Sequence, residues 1–291
     1  MTPSVHAIPA YVNPKSGSAD AARDALDESG AFEVREVDPA KLGDEMKRLA
    51  AEGVPRMLVA GGDGTIGTAV NGLIGTNAEL AILPGGTLNH FATDLGIPDD
   101  PKEALSVALQ GTARPADVAW ANDHVFLNTS SVGAYVTFVR TRERLEKRFG
   151  YRIASFIAAI RMFFRLRHIA VEMEVDGERR IFRTPLVFIG VGERELQLPS
   201  LGKRVPDGRR GLHVLVVQGR SRARMLAMGF AAVARGVNTA ARTPELDSFI
   251  VERCTITMKK AGTIAVDGEL VKLGAKVEYS LARDAVRVVC P

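Results

Sequence analysis

The stretch MLVAGGDGT, residues 57–65, decides the fold of the amino-terminal part of the chain. Four apolar residues, Met57 to Ala60, are long enough for a buried strand and run directly into glycines at 61, 62 and 64. The residues that follow, 66–73, have the pattern of a helix. A buried strand that leads through glycine into a helix is typical of a parallel α/β sheet.

The same alternation of strand and helix patterns extends over roughly the first 120 residues. Short apolar runs predict strands, and amphipathic segments between them predict helices. The predicted strands are Val5–Val12, Phe32–Val37, Met57–Ala60 and Leu80–Leu83, and the predicted helices include Ala19–Glu28 and Leu42–Ala51. We therefore expect residues 1–120 to form an α/β domain with helices on both faces of a parallel sheet.

Two further turns resemble the first one in chemistry. Leu80–Leu83 runs into PGGTLN, residues 84–89, and the first predicted strand runs into NPKSGS, residues 13–18. The carboxyl ends of parallel strands meet at one edge of a sheet, which is where ligands bind. Glycine lets successive backbone N–H groups point into one concavity, and such a concavity holds an anion. The pattern predicts a shared site for nucleotide phosphates.

Side chains in the first loop fit the same chemistry. Asp63 offers a carboxylate for a phosphate-bound Mg²⁺, and Thr65 can cap the helix or donate to a phosphate oxygen. On its own, this loop is equally consistent with a tight turn between strand and helix. Gly62–Gly67 also fits the G-x-G-x-x-G pattern, but an acid inside it would repel a pyrophosphate unless a cation intervened. A dinucleotide oxidoreductase is therefore disfavoured.

Beyond residue 120 the pattern becomes rich in strands. The predicted strands are Val125–Val132, Ile169–Val175, Pro185–Val191, Leu212–Val217, Phe249–Met258, Thr263–Val266, Val277–Leu281 and Ala285–Val289. Turn signals such as Asp267-Gly268 separate them, and helical patterns interrupt them near 140–166 and 221–240. We expect residues 121–291 to form a β-sandwich with helical insertions.

Composition and charge exclude several classes of protein. The two cysteines and five histidines show no zinc-binding spacing, and the amino terminus has no secretion-signal pattern. The chain carries a net charge of +4, but aromatic residues make up only 6% and no nucleic-acid-binding signature is present. We expect a cytoplasmic protein that does not bind nucleic acid.

Together these motifs resemble the catalytic domain of diacylglycerol kinases. That family includes bacterial lipid kinases and sphingosine kinases, and it is more distantly similar to NAD kinases. The matching blocks are, in chain order, Asn13–Gly17, Gly61–Thr65 with Asn71–Leu73, Leu83–Ala92, Leu95–Pro98, Phe126–Asn128 with Ser131 and Gly133, and Asp267–Glu269. They keep the family's order over almost the whole chain.

The resemblance implies a fold similar to NAD kinases and phosphofructokinases, with a second β-sandwich domain and an active-site cleft between the two. It implies transfer of the ATP γ-phosphate to a lipid hydroxyl with Mg²⁺, with Glu269 as general base and Asp63 in the catalytic set. The loops and the resemblance together assign these residues to the nucleotide: Asn13, Pro14, Lys15, Ser16, Gly17, Gly61, Gly62, Gly64, Thr65, Gly85, Gly86, Thr87 and Asn89.

Two positions depart from the family pattern. His90 stands where many members have Asp, and the family's acidic D-G-x-L-D segment corresponds here to DGRRGLH, residues 207–213. Arg210 and His213 replace acids there, so we expect the accessory metal site to be lost or rebuilt, with His213 serving as a strand residue. Two alternatives stay open. Gly61–Thr65 is shared with NAD kinases, which leaves a kinase for a soluble acceptor such as NAD, and the two departures leave a nucleotide-sensing protein without catalysis.

A basic and apolar segment, residues 140–168, offers a route to a membrane. It has nine Lys or Arg against two Glu, a net charge of +7. The apolar members are Phe149, Tyr151, Ile153, Phe156, Ile157, Ile160, Phe163 and Phe164. An amphipathic helix of this kind fits peripheral contact with the anionic inner face of a membrane, but a solvated basic face over a packed core fits the same pattern.

Overall fold

The structure is a computed structural model, and it describes residues 7–14, 16–164, 168–175, 177–195, 203–217 and 246–291, without the side chains of Arg152, Phe163, Phe164 and Leu246. The predicted site residue Lys15 and the predicted helix over 221–240 lie outside the described residues. Within these ranges, no helix combines the length and apolarity needed to cross a bilayer.

The chain divides into two compact units. Unit 1 comprises Met1–Val118 together with Ala282–Pro291, and unit 2 comprises Ala119–Leu281. The sequence placed the last ten residues in the second domain, whereas they contribute a strand to the sheet of unit 1. The long final strand belongs to both units because its two halves pair with different neighbours.

Unit 1 is the parallel α/β layer that the sequence predicts. Its strands are β1 (Ile8–Val12), β2 (Phe32–Glu36), β3 (Arg56–Gly61) and β4 (Glu79–Pro84). Its helices are α1 (Ala19–Ser29), α2 (Leu42–Ala51), α3 (Asp63–Leu73), α4 (His90–Asp94) and α5 (Pro101–Gln110), followed by β5 (Thr112–Ala121). The strands lie in the order β2-β1-β3-β4, all parallel, and the carboxyl half of β16 (Lys276–Cys290) pairs in parallel with β4.

This strand order contains a reversal. From β1 the chain moves outward to β2, then returns past β1 to β3 and β4. Right-handed crossovers place α1 on one face of the sheet and α2 and α3 on the other. The loops after β1 and β3 therefore flank a topological switch point, where the ends of neighbouring strands leave a crevice open.

Apolar periodicity accounts for the helices of unit 1. In α2 the buried residues Leu42, Met46 and Leu49 recur on one face, and α2 packs against α3. Helix α5 begins at Pro101, and the carboxylate of Asp100 accepts the backbone N–H groups of Lys102 and Glu103 as its cap.

Unit 2 is a sandwich of two sheets. It contains β6 (His124–Phe126), β7 (Thr129–Gly133), α6 (Ala134–Phe164), β8 (Ile169–Val175), β9 (Glu178–Thr184), β10 (Leu186–Val191), β11 (Leu212–Val217), β12 (Leu246–Val251), β13 (Arg253–Met258), β14 (Gly262–Val266) and β15 (Glu269–Leu273). One sheet has the order β12-β11-β10-β7-β14-β15, and the other includes β9-β8-β13 and the amino half of β16. Their inner faces form one core, in which Val132, Ile189 and Val214 of the first sheet join Met173 and Ile256 of the second.

Several predicted strands are divided or joined differently in the structure. The predicted run Phe249–Met258 is two strands in different sheets, and Val125–Val132 breaks after Phe126. Conversely, Val277–Leu281 and Ala285–Val289 belong to the single strand β16. Asp284 has a φ of 51° within that strand, and its backbone N–H donates to the Asp117 carboxylate at 2.9 Å, which holds the irregular position in place.

The α2–α3 contact gives a test of the packing in unit 1. A Cβ added at Gly72 would lie 2.1 Å from the backbone oxygen of Gly43, whereas a Cβ at Gly67 on the same helix would meet nothing within 4 Å. We expect Gly72→Ala to destabilise the protein by about 1–3 kcal/mol because the helices must separate. Gly67→Ala should instead be neutral or stabilising by up to about 1 kcal/mol, since alanine favours a helix.

Thermal unfolding of the two variants measures this difference directly. Equal melting temperatures for Gly72→Ala and Gly67→Ala would show that α2 and α3 do not approach at Gly43 and Gly72.

Candidate functional site

The three loops that the sequence singled out meet in unit 1. We call them the NPKSGS loop (13–18), the GGDGT loop (61–65) and the PGGT loop (84–89), after their residues. They follow β1, β3 and β4, and because these strands are parallel neighbours, all three loops emerge at the same edge of the sheet.

Backbone contact between glycines joins the GGDGT and PGGT loops. The Gly85 N–H donates to the carbonyl of Gly61 at 2.9 Å. A Cβ added at Gly86 would lie 2.8 Å from the Cα of Gly62, and one added at Gly85 would lie 3.2 Å from the Cα of Gly61. Real Cβ atoms essentially never approach a backbone atom to 2.8 Å, so the contact at Gly86 requires glycine, and the contact at Gly85 is tighter than most real Cβ contacts.

Side chains of the NPKSGS loop bind both of the other loops. The Asn13 amide donates to Thr65 Oγ1 at 2.9 Å. The hydroxyls of Ser16 and Ser18 both donate to the Gly85 carbonyl, at 2.7 and 2.9 Å. The sequence assigned Asn13, Ser16 and Thr65 to the site but not Ser18, although its hydroxyl two residues after Ser16 was a visible signal. These bonds connect the three loops within one small region.

The Asp63 carboxylate caps α4. Its two oxygens accept the backbone N–H groups of His90 and Phe91, each at 3.1 Å. The departure from the family pattern at His90 leaves this contact intact, because the donor is the backbone and the imidazole is exposed. Each carboxylate oxygen keeps acceptor capacity beyond its one bond, so Asp63 still fits a Mg²⁺ ion that arrives on phosphates.

Asn89 shapes the end of the PGGT loop. It has a left-handed φ of 46°, its Oδ1 accepts from the Gly86 N–H at 2.8 Å, and its amide donates to Asp99 at 3.1 Å. Asp99 was not predicted, since nothing in its local sequence marks it as a partner of Asn89. The other predicted positions that the structure describes on these loops are Pro14, Gly17, Gly64 and Thr87, and all four are exposed to solvent.

The turn Asp267-Gly268 belongs to unit 2 and connects β14 to β15. Both residues have positive φ, 45° and 85°, and Val266 pairs with Glu269, as in a two-residue hairpin. The Asp267 carboxylate accepts three backbone N–H groups, from Leu127 at 2.7 Å, Asn128 at 2.9 Å and Thr129 at 2.8 Å.

The two acids of this turn therefore differ in their surroundings. Asp267 fixes the backbone between β6 and β7, which explains why that predicted strand is broken, whereas the side chain of Glu269 is exposed. The carbonyl between them, on Gly268, accepts from the Arg142 guanidinium of α6 at 3.2 Å. Asp267 holds the turn, and Glu269 is presented to solvent.

The segment that replaces the family's acidic motif does not fit a cation site. Glu193 binds the backbone N–H of Arg209 at 2.9 Å and its guanidinium at 3.2 Å. His213 is a buried residue of β11, as predicted, and its Nδ1 accepts the Arg194 N–H at 2.9 Å. Burial lowers the pKa of His213, so the imidazole is neutral at pH 7. Among the described residues, no three His, Cys, Asp or Glu side chains cluster as metal ligands.

Comparison with known proteins agrees with the motifs. Residues 10–121 match the family described as "Diacylglycerol kinase catalytic domain". The matched segment comprises 112 of the 291 residues. The match runs from within β1 to the end of β5 and contains all three glycine-bearing loops.

Curated relatives carry lipid-kinase names. The chain is 33% identical over 153 residues to a "Probable lipid kinase YegS-like" of Cronobacter sakazakii, and the aligned region covers 50% of each chain. It is 28% identical over 241 residues to a diacylglycerol kinase of Staphylococcus aureus, covering 78% of this chain and 75% of the relative. The first of these matches thus spans half of the relative's length.

Solved structures extend the likeness in fold to both units. A crystal structure of a diacylglycerol kinase from Bacillus anthracis superposes with a TM-score of 0.71 at 19% identity, covering 98% of this chain and 97% of that one. This likeness confirms the predicted fold class, a parallel α/β unit with a separate antiparallel unit.

The close approach of the glycines gives a second test. Gly86→Ala should lower the melting temperature, because its Cβ would meet the Gly62 backbone and Asn89, whereas Gly17→Ala should leave it unchanged, since a Cβ there meets nothing within 4 Å. We expect a loss of about 1–3 kcal/mol for Gly86→Ala. Equal stability of the two variants would contradict the contact between the GGDGT and PGGT loops.

The contrast between the two turn acids gives a third test. Asp267→Asn should destabilise the protein by roughly 2–4 kcal/mol, because an amide cannot accept all three N–H groups on its two terminal atoms. Glu269→Gln should change the melting temperature little, since that side chain is exposed. Differential scanning calorimetry checks both, and an unaffected Asp267→Asn protein would contradict the described role of Asp267.

Proposed function

We propose that this protein is an ATP-dependent lipid kinase, which transfers the γ-phosphate of ATP to the hydroxyl of diacylglycerol or a related lipid alcohol. One observation supports this above the others. The three glycine-bearing loops of the matched catalytic-domain segment are bonded together at the switch point of a parallel sheet. Phosphoryl transfer depends mainly on holding and neutralising the phosphates, and this is what such loops provide.

The glycine contacts fit a triphosphate for a steric reason. Where Gly62 and Gly86 face each other, any side chain would meet the opposite backbone and push the loops apart. In this proposal their contact keeps the remaining backbone N–H groups of the loops close enough to bind one chain of phosphates, and Thr65 and Thr87 add hydroxyl donors on the same loops. In this proposal Asp63 would hold a Mg²⁺ ion bound to the ATP phosphates, and the ion would supply charge neutralisation.

In this proposal Glu269 is the general base. Its carboxylate is exposed on a rigid hairpin, and Asp267 and Arg142 fix the backbone on either side of it. In the proposed reaction, Glu269 accepts the proton of the lipid hydroxyl as that oxygen forms its bond to the γ-phosphorus. The bond from phosphorus to the β-phosphate oxygen breaks, and ADP leaves.

The proposed reaction is tested with γ-labelled ATP and detergent-solubilised lipid alcohols. Glu269→Gln should lower kcat by about 10²–10⁴-fold while nucleotide affinity is retained, because it removes only the proton acceptor. Asp63→Ala should lower both kcat and the affinity for nucleotide. Glu278→Gln, which changes an exposed glutamate on β16, serves as the matched control and should leave the rate unchanged.

The same assay separates the alternatives. Labelling of NAD in place of lipid would make the protein a kinase for a soluble acceptor. Binding of ATP without transfer to any acceptor would make it a nucleotide sensor, the alternative that His90 suggests. Either result would overturn the proposed lipid kinase activity.

A further inference from the structure

The second half of α6 has its side chains arranged in an unusual way. The helix is interrupted at Gly150, where φ is 72° and ψ is 165°. Beyond this break, Ala154 and Ala158 are fully buried one turn apart, and the bulky residues Ile153, Phe156 and Ile160 are exposed by 55%, 68% and 44%. The two fully buried positions are thus alanines, and three of the large apolar residues are exposed to solvent.

This arrangement is the reverse of an ordinary surface helix, which buries its large apolar side chains. Ile153, Phe156 and Ile160 follow one another at spacings of three and four residues, so they form a continuous stripe on one face. Phe149, just before the break, is also exposed, by 40%. Single exposed apolar residues are common on proteins, but an aligned stripe marks a surface that contacts something.

The charges around the stripe are predominantly positive. Exposed Arg144, Lys147 and Arg148 precede the break, and exposed Arg161 follows the stripe. Over the whole helix, residues 134–164, there are seven Lys or Arg and two Glu, a net charge of +5. One of the two acids, Glu146, lies 3.6 Å from the Arg142 guanidinium. Any partner that covers the stripe must therefore tolerate or supply negative charge.

We propose that this face of α6, defined by Phe149, Ile153, Phe156 and Ile160 and its flanking cations, docks on the surface of an anionic lipid bilayer. The apolar stripe enters the boundary between head groups and acyl chains, and the cations meet lipid phosphates. Anionic leaflets attract such basic helices electrostatically. The choice of a lipid surface over a protein also rests on the proposed function, because a lipid alcohol resides in the bilayer.

The docking face is connected to the turn that carries Glu269. Arg142, on the same helix, donates to the Gly268 carbonyl at 3.2 Å. Its guanidinium also lies over the ring of Tyr151, 5.5 Å from the ring centre. Tyr151 is the first residue after the break at Gly150. The helix that would contact the bilayer is therefore also bonded to the Asp267-Gly268-Glu269 turn.

Vesicle sedimentation tests the proposal without relying on catalysis. The full-length protein is mixed with vesicles of phosphatidylcholine alone or with phosphatidylglycerol added. We expect binding to the anionic vesicles, weakened by salt. Combined Ile153→Ser, Phe156→Ser and Ile160→Ser substitutions should reduce the bound fraction at least about tenfold, because the apolar contribution is lost. Lys147→Gln with Arg148→Gln should weaken binding to anionic vesicles only.

Ile181→Ser is the matched control, since Ile181 is 79% exposed on β9 and lies on a different element. It should bind vesicles as the wild type does. Equal binding by the triple variant and wild type would overturn the proposal. So would a dimer that the triple substitution converts to monomer without any vesicle binding, because the stripe would then contact a second copy of the chain.

The outcome is independent of the kinase assay. A protein that binds anionic vesicles through α6 but phosphorylates no lipid retains the docking face and loses the proposed function. A protein that phosphorylates lipid in detergent but does not bind vesicles retains the function and loses the docking face.

Discussion

The candidate site depends on the close approach of two backbone segments that carry no side chains. Gly61 and Gly62 face Gly85 and Gly86 at distances that a Cβ would not permit, and one backbone hydrogen bond joins them. Further hydrogen bonds at this edge of the sheet are made by residues of the same loops. Ser16 and Ser18 bind the Gly85 carbonyl, and Asp63 extends from the GGDGT loop to cap α4. The loops are thus held in place before any ligand binds, which lowers the entropic cost of binding one.

Residues that share a motif divide their tasks between support and presentation. Asp267 and Glu269 are separated by one glycine, yet Asp267 accepts three backbone N–H groups and Glu269 is exposed. Each carboxylate oxygen of Asp63 similarly accepts one backbone N–H group of α4. The acids that resemble a family's catalytic pattern are therefore partly structural, and a loss of activity in their variants requires a stability measurement beside it.

Local sequence predicted unit 1 well because its strands β3 and β4 are short and almost entirely buried, and because glycine turns mark their ends. The run Met57–Ala60 and the helix Leu42–Ala51 were found within a residue or so of their bounds. Prediction was poorer where pairing partners are distant in sequence. The strand β9, with the sequence ERRIFRT, has too many charges to resemble a strand, but it is the last strand of its sheet, where such residues remain solvated. The partners of Asp267 lie about 140 residues away, which no local pattern reveals.

The central claim is that backbone amides of the three loops together hold the phosphates of one nucleotide. Amide hydrogen exchange, measured with and without a non-hydrolysable ATP analogue and Mg²⁺, tests it most directly. The account predicts slower exchange in all three loops, 13–18, 61–65 and 84–89, when the analogue is present, and little change at the surface strand β9. Protection confined to one loop, or absent from all of them, would contradict it.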